Sequence, residues 1–343
     1  MMHAYFSPDQ MLHHGLTFMV GGERKPIPEV PERAEILNSA LAKLAIAPQS
    51  PADFGLAPIA QVHSPEYLQF LENIHRDWRA AGGAEIVVPH IHPFDRTGPY
   101  PQTPAAQAGF HLGDTSCPVS ATTWQSARSS ANCAVAAARH VRDDEASCAY
   151  ALCRPPGHHA SRDIAGGFCY LNNSAIAARQ LRERFGRVAI LDIDLHHGNG
   201  TQHIFYDCED VLTVSIHADP AQFYPFYWGH AHERGTGRGL GYNHNFPLPL
   251  RSGDDVFLLA LDRATDIITH YAPGALVLAC GLDASRDDPF GGLTVSTGGF
   301  GKIARKISLI GLPTVIVQEG GYVSPTLADN LVQFLGSFAE ARS

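Results

Sequence analysis

The sequence predicts a single α/β domain, doubly wound, with a central, mostly parallel sheet flanked by helices. Two features carry that reading. Short apolar runs alternate with helical patterns along the 343 residues, and polar clusters directly follow four of the runs.

The runs lie at 149–153, 187–192, 211–217, 275–281 and 314–318 and are rich in Val, Ile, Leu and Ala. Continuous apolar runs of this length suit parallel strands covered on both faces, because neither side of the pleat meets water. Between and around them, helical spacing is expected at 32–45, 65–78, 120–141, 172–185, 254–270, 300–310 and 325–340. The stretch 82–118 breaks the alternation. It is rich in Pro, Gly and Thr, but Phe94, Tyr100 and Phe110 within it predict an ordered inserted loop that packs against something. A second irregular stretch, rich in aromatics and glycine, is expected at 220–249.

Composition excludes several classes of function. With 34 acidic and 25 basic residues the chain carries a formal charge of −9, which offers no footprint for nucleic acid or an anionic membrane. The first residues lack the basic and apolar regions of a signal peptide, and no run approaches the roughly 18 apolar residues of a spanning helix. Seven cysteines without CxxC spacing read as reduced thiols, mostly in the core, so a cytoplasmic location is expected.

In a sheet of this kind ligands bind beyond the carboxyl ends of the strands. Four clusters fall there: R-P-P-G-H-H-A with His158 and His159, D-I-D-L-H-H-G-N-G from Asp192, C-G-L-D-A-S with Asp283, and Q-E-G-G-Y ending at Tyr322. One histidine or aspartate at a strand end is usually structural. Four clusters delivered to one edge point to a reaction centre.

On extended backbone, Asp192, Asp194 and His196 face the same way, while Leu191, Ile193 and Leu195 face the packing. A carboxylate and an imidazole two residues apart, joined by a carboxylate from another strand, form a two-oxygen, one-nitrogen set. Zinc takes such ligands and keeps a position open for water; Mn(II), Co(II) or Fe(II) could use the same set. A helix N-cap and a turn would explain one of the two aspartates but not the set.

The motifs RPPGHHA, GGFCYLNN, DIDLHHGNGTQ and EGGY, with Tyr5-Phe6-Ser7 and Val62-His63, resemble the histone deacetylase superfamily on the arginase–deacetylase fold. The branch most similar is that of bacterial acetylpolyamine amidohydrolases. The resemblance implies one zinc per subunit on Asp194, His196 and Asp283, with His158, His159 and Tyr322 as catalytic groups. It implies that Asp192 accepts a hydrogen bond from His158 and Asn199 one from His159; many eukaryotic relatives have Asp at the latter place. It also implies structural potassium, one ion near Asp192, Asp194, His196, Ser215 and Ile216, and a second near Phe205, Val211 and Tyr242. Phe168 and Tyr224 would wall a narrow substrate channel.

By the same resemblance, the 82–118 loop narrows the entrance and makes a homodimer or a dimer of dimers. Acidic residues that attract a cationic substrate in that loop are replaced here by Ala106 and Ser116, with Asp114 the nearest carboxylate. The expected substrate is a small amide, acetylpolyamine-like or otherwise, from which acetyl or another short acyl group is removed. Deacetylation of acetyl-lysine in peptides or proteins is the alternative activity, and a non-catalytic acyl-amine binder the alternative class. A two-manganese, arginase-like centre would need further Asp and His ligands and leaves Tyr322 without a role.

Overall fold

The computed structural model describes residues 2–144 and 147–342. Among the described residues nine strands are formed: β1 (His3–Tyr5), β2 (Thr17–Val20), β3 (Glu23–Pro26), β4 (Cys148–Ala151), β5 (Val188–Asp192), β6 (Val211–Ala218), β7 (Asn243–Leu248), β8 (Ala275–Cys280) and β9 (Thr314–Gln318). Seven of them make one sheet in the order β1-β4-β9-β8-β5-β6-β7, every neighbouring pair parallel; β2 and β3 form a separate antiparallel hairpin.

The period-two alternation of each strand feeds two cores, one per face. On β5, Ala189 and Leu191 pack in one core while Val188 and Ile190 pack in the other. On β8, Leu276 and Leu278 are separated in the same way from Ala275 and Val277. Helices Thr123–Arg142 and Asn173–Arg182 cover one face, and Asp254–Tyr271, Thr297–Ser308 and Leu327–Glu340 the other. Such burial makes the central strands sensitive: truncating a fully buried Leu to Ala typically costs 2–5 kcal/mol.

Four strands escape the apolar-run criterion. β1 is only three residues long, and the hairpin β2–β3 is largely solvent-facing. β7 lies inside the stretch expected to be irregular. It sits at the sheet edge with sequence NHNFPL, and an edge strand needs apolar residues on fewer positions.

The 82–118 segment folds against its own chain. Val87 and Val119 exchange backbone hydrogen bonds of 2.9 and 3.0 Å, and residues Pro104–His111 form a helix capped by the Thr103 hydroxyl. Arg96 pairs in bidentate fashion with Asp163 and lies over the Phe110 ring, while the Tyr100 hydroxyl meets His111 Nε2 at 2.9 Å. Phe94 differs from its two aromatic companions and is fully exposed.

Candidate active site

The four motif-bearing strands, β4, β9, β8 and β5, are adjacent in the sheet, so their C-terminal ends deliver His158, His159, Tyr322, Asp283, Asp194 and His196 to one place. Beyond β5 the chain curls through its own carboxylates. The Asp194 N–H donates to Asp192 Oδ1 at 3.0 Å and the His196 N–H to Asp194 Oδ1 at 2.8 Å. The Leu195 N–H donates to Asp283 Oδ1 at 2.9 Å, and the Gly320 N–H to Asp194 Oδ2 at 2.8 Å. Backbone amides just beyond β5 and β9 thus aim the two carboxylates.

His196 Nδ1 lies 3.2 Å from Asp194 Oδ1 and 3.1 Å from Asp283 Oδ2, and the ligand atoms of the three residues all lie within 4.8 Å of one another. All three side chains are buried. A Cβ on Gly320 would stand 2.2 Å from Asp283 Oδ2, and one on Gly281 2.2 Å from Asp194 Oδ2, so only glycine permits this close approach. Burial, and then the Asp194 charge, push the Asp283 carboxyl up to about 6. Burial opposes a charge on His196, but hydrogen bonds to Asp194 and Asp283 outweigh it and raise the imidazole to about 9. Two buried carboxylates around one imidazole leave an excess of negative charge, and a divalent cation is the species that compensates it. The donor set fits a zinc ion.

A second buried group, His158, Cys169 and Glu319, is as compact but suits a metal less well. Burial, reinforced by Glu319, pushes the Cys169 thiol well above its usual range, which keeps it protonated. Glu319 is already occupied by the Gly157 and His158 N–H groups at 2.7 and 3.0 Å and by the Ser174 hydroxyl at 2.7 Å. It acts as a brace that holds the histidine turn to β9.

The two histidines differ in their partners. His158 Nδ1 lies 2.9 Å from Asp192 Oδ2, and His159 Nδ1 lies 2.7 Å from Asn199 Oδ1. Both oxygens accept, so both rings carry a proton on Nδ1 and turn Nε2 away from the partner. Burial disfavours charge on His158, but Asp194 and Asp192 more than offset it and hold the imidazole well above its ordinary value. Burial, then His158 and His196, push His159 well below. One ring is thus disposed to be cationic and its neighbour, 4.0 Å away between centroids, to be neutral.

Tyr322 follows Gly321, whose φ of +111° turns the chain as glycine alone does readily. Its ring packs at 70–72° to Phe290 and Phe168, with centroids 4.8 and 6.0 Å away, and Arg33 lies over its face at 4.9 Å. The Tyr322 N–H donates to Asp288 Oδ2 at 2.9 Å. Arg33 binds the Gly321 and Glu319 carbonyls at 2.6 and 2.7 Å while pairing with buried Glu29. The sequence reading missed Asp288, Arg33 and Glu319. Glu319 lies in the Q-E-G-G-Y motif and Asp288 three residues beyond C-G-L-D-A-S, whereas Arg33 reads as an ordinary position of an exposed helix.

A cavity of about 590 Å³ leads to this centre. Phe168, Tyr224, Phe223 and Phe290 wall it, and His159, His196 and Tyr322 lie at its inner end. Phe168 sits at a φ of 68° after Gly167, where a Cβ would come within 2.3 Å of the His159 ring. Asp114 reaches the cavity, but its oxygens have partners. Oδ2 accepts from the Tyr224 hydroxyl at 2.7 Å and the Gly167 N–H at 3.2 Å; Oδ1 accepts from the Ser116 N–H at 2.8 Å. Ser116 lines the same cavity, whereas Ala106 borders a separate cleft beside Ile91 and Phe110.

Of the residues expected around potassium, Asp192 at the end of β5 and Ser215 within β6 are register partners, Asp194 and His196 follow Asp192 in the chain, and Ile216 follows on β6. The Ser215 hydroxyl meets His217 Nδ1 at 2.7 Å. Val211 and Tyr242 lie at the opposite end of the sheet, before β6 and β7 have run their length, with Phe205 nearby in the preceding helix.

The family model described as the histone deacetylase domain matches residues 27–337. An acetylpolyamine amidohydrolase of Burkholderia pseudomallei is 50% identical over 343 residues, covering 99% of this chain and 100% of that protein. Acetylpolyamine amidohydrolase 1 of Pseudomonas aeruginosa is 41% identical, covering 99% of each. The crystal structure of the Burkholderia pseudomallei acetylpolyamine aminohydrolase superposes with a TM-score of 0.97 over 100% of both chains, at 50% identity. The HDA15 HD domain superposes with a TM-score of 0.78 at 25% identity, over 99% of this chain and 87% of that one. The chain therefore belongs to the histone deacetylase family, among relatives that include the bacterial acetylpolyamine amidohydrolases.

Proposed function

We propose that the protein is a zinc-dependent amidohydrolase that removes acetyl, or another short acyl group, from small acetylpolyamine-like amides. One observation supports this most strongly: His196 of the compact Asp194, His196 and Asp283 cluster borders the inner end of the aromatic cavity together with His159 and Tyr322, and His158 Nε2 lies 3.8 Å from Asp194 Oδ1. Zinc held by that cluster supplies Lewis acidity toward an amide carbonyl and makes water more acidic.

The protein groups account for the proton transfers and the charge. Neutral His159, its tautomer set by Asn199, takes the proton from the attacking water and returns it to the leaving nitrogen. An amine leaves poorly unless protonated, so the second transfer is as necessary as the first. His158, whose charged form Asp194 and Asp192 favour, stabilises the negative charge that develops beside it. The Tyr322 hydroxyl donates to the carbonyl oxygen as that oxygen gains charge. Phe168 and Tyr224 grip a thin substrate chain and exclude bulk water. No cysteine or serine nucleophile takes part.

Among the described residues Asp114 is the one carboxylate that borders the cavity, its oxygens held by Tyr224, Gly167 and Ser116, while Ser116 adds no charge and Ala106 lies in a separate cleft. Short linear amides, charged or neutral, are the class that these walls accept. Structural potassium at the Asp192–Ser215 edge and near Phe205, Val211 and Tyr242 belongs to the same reading. So does a homodimer or dimer of dimers through residues 82–118, supported by exposed Ile91 and Phe94 on that segment. No helix among the described residues is long and apolar enough to cross a membrane, and the seven cysteines are free thiols, in keeping with a cytoplasmic setting.

Acetate release from N-acetylputrescine, a neutral N-acetylalkylamine and an acetyl-lysine peptide, at equal concentrations, tests the proposal. Turnover of either small amide above the peptide is expected. Release from the peptide alone would overturn the small-substrate reading, and release from none would overturn hydrolysis.

A further inference from the structure

The β2–β3 hairpin supplies part of the wall of the 590 Å³ cavity through Phe18, Met19, Val20 and Gly21. The exposed members of the lining are Met19, Val20 and Gly21 from the hairpin and Gln222 and Phe226 from the loop after β6, so the mouth lies between these two segments. The hairpin is two-sided in sequence. β3 reads ERKP and is exposed throughout, whereas β2 reads TFMV and leaves Met19 and Val20 47% and 43% exposed at the cavity. A surface hairpin gains nothing from apolar side chains in water, so these two have a use only against an apolar stem that passes them.

The hairpin is held in two places. At its root Leu16 and Ile27 are buried with Phe168 and Tyr322, and the Ile27 N–H donates to the Leu16 carbonyl at 3.1 Å. Above the root, the Thr115 hydroxyl accepts from the Met19 N–H and donates to the Met19 carbonyl, both at 3.2 Å. Among the described residues these two are the only hydrogen bonds that tie residues 17–26 to the rest of the chain. The Gly21–Gly22 turn, with both φ angles positive, closes the hairpin, and a Cβ on either glycine would meet nothing within 4 Å. The tip stands clear of the body, and Thr115 alone clasps the strand that borders the mouth.

We propose that the hairpin, clasped by Thr115, selects which amides enter: it holds Met19 and Val20 across the mouth, so a substrate leaves the cavity only as a single thin chain. Thr115 is a positioning residue, and Met19 and Val20 are the contacts for the alkyl stem. The inference deepens the amidohydrolase reading and rests on it for the class of substrate. An acyl-lysine inside a polypeptide is refused by width, since main chain runs to both sides of its stem. Each exposed hydrogen bond is weak, and the pair together favours the closed hairpin by about tenfold.

The test compares full-length wild type, Thr115→Val, Thr115→Ser and Met19→Ala. Thr115→Val keeps the branched shape and removes both hydrogen bonds; Thr115→Ser keeps the hydroxyl. In Thr115→Val and Met19→Ala the kcat/KM ratio of an acetyl-lysine peptide to N-acetylputrescine should rise at least about fivefold, mainly through the peptide's KM, whereas Thr115→Ser keeps the wild-type ratio. Two hydroxamates on one alkyl stem, one bare and one ending in a peptide-sized cap, read access by calorimetry without turnover, and the capped one should gain by the same factor. An unchanged ratio in Thr115→Val refutes the clasp, an unchanged ratio in Met19→Ala refutes the lip, and an equal rise in Thr115→Ser refutes the hydroxyl as the cause. Amide hydrolysis with unmoved ratios overturns the entrance proposal alone. Improved capped-hydroxamate binding without acetate release from any amide overturns the amidohydrolase reading alone.

Discussion

Replacing Tyr322 with Phe isolates the oxyanion donor from the rest of the centre. The ring contacts are hydrophobic or electrostatic on the face: Phe290 at 4.8 Å, Phe168 at 6.0 Å and Arg33 at 4.9 Å, all available to phenylalanine. The backbone is tied independently, through the Tyr322 N–H to Asp288 and through the Gly321 carbonyl to Arg33. Fold, stability and zinc content should therefore change little, because these ring and backbone contacts survive the substitution. One donor aimed at a developing oxyanion is worth about 3 kcal/mol, roughly a hundredfold or more in rate. Turnover of N-acetylputrescine should fall by at least about two orders of magnitude, with KM near its wild-type value. Turnover, zinc content and melting temperature are measured on one preparation. A loss below about threefold with full zinc would remove Tyr322 from the mechanism and leave a tyrosine that only packs.

Three further perturbations read other parts of the account. Asn199→Asp places a carboxylate on His159 Nδ1 and raises the pKa of an imidazole that burial now holds low. The base must be unprotonated in the free enzyme, so the acidic limb of the kcat/KM profile should move to higher pH; an unmoved limb excludes His159 as the base. Asp288→Ala strips the acceptor from the Tyr322 and Phe290 N–H groups, with an expected cost of about 1–3 kcal/mol in chemical denaturation and lower turnover at full zinc. Unchanged kcat would show that Tyr322 is positioned by other contacts. Ile91→Ser with Phe94→Ser removes exposed apolar area from the 82–118 segment, and sedimentation should shift toward monomer; unchanged sedimentation moves the interface elsewhere.

How much of the molecule was readable follows from where each residue sits. β4, β5, β8 and β9 are covered on both faces, so Val, Ile, Leu and Ala fill them continuously and their ends carry the reactive residues. β7 and the β2–β3 hairpin are edge or surface elements, where polar residues satisfy the backbone as well as apolar ones and leave no periodic trace. The candidate metal cluster was legible because Asp194 and His196 share an alternating segment, with Asp283 at a neighbouring strand end. The support around it was not. Arg33 is a fully buried charge at a helical position that reads as exposed, Glu29 is one in the loop before that helix, and only the fold brings them to the Tyr322 turn. Asp114 likewise reads as a loop carboxylate facing substrate, and only tertiary packing places the Tyr224 hydroxyl and Gly167 amide on its oxygens.

Metal content measured together with acetate release tests the central claim most directly. Protein purified without added metal should hold one zinc per chain by elemental analysis and hydrolyse a small N-acetyl amide. Asp283→Ala, which removes one of three ligands and leaves an unbalanced buried His196, should lose the metal and the activity together. Full zinc and full turnover in that variant would contradict the assignment of Asp194, His196 and Asp283 as the metal centre.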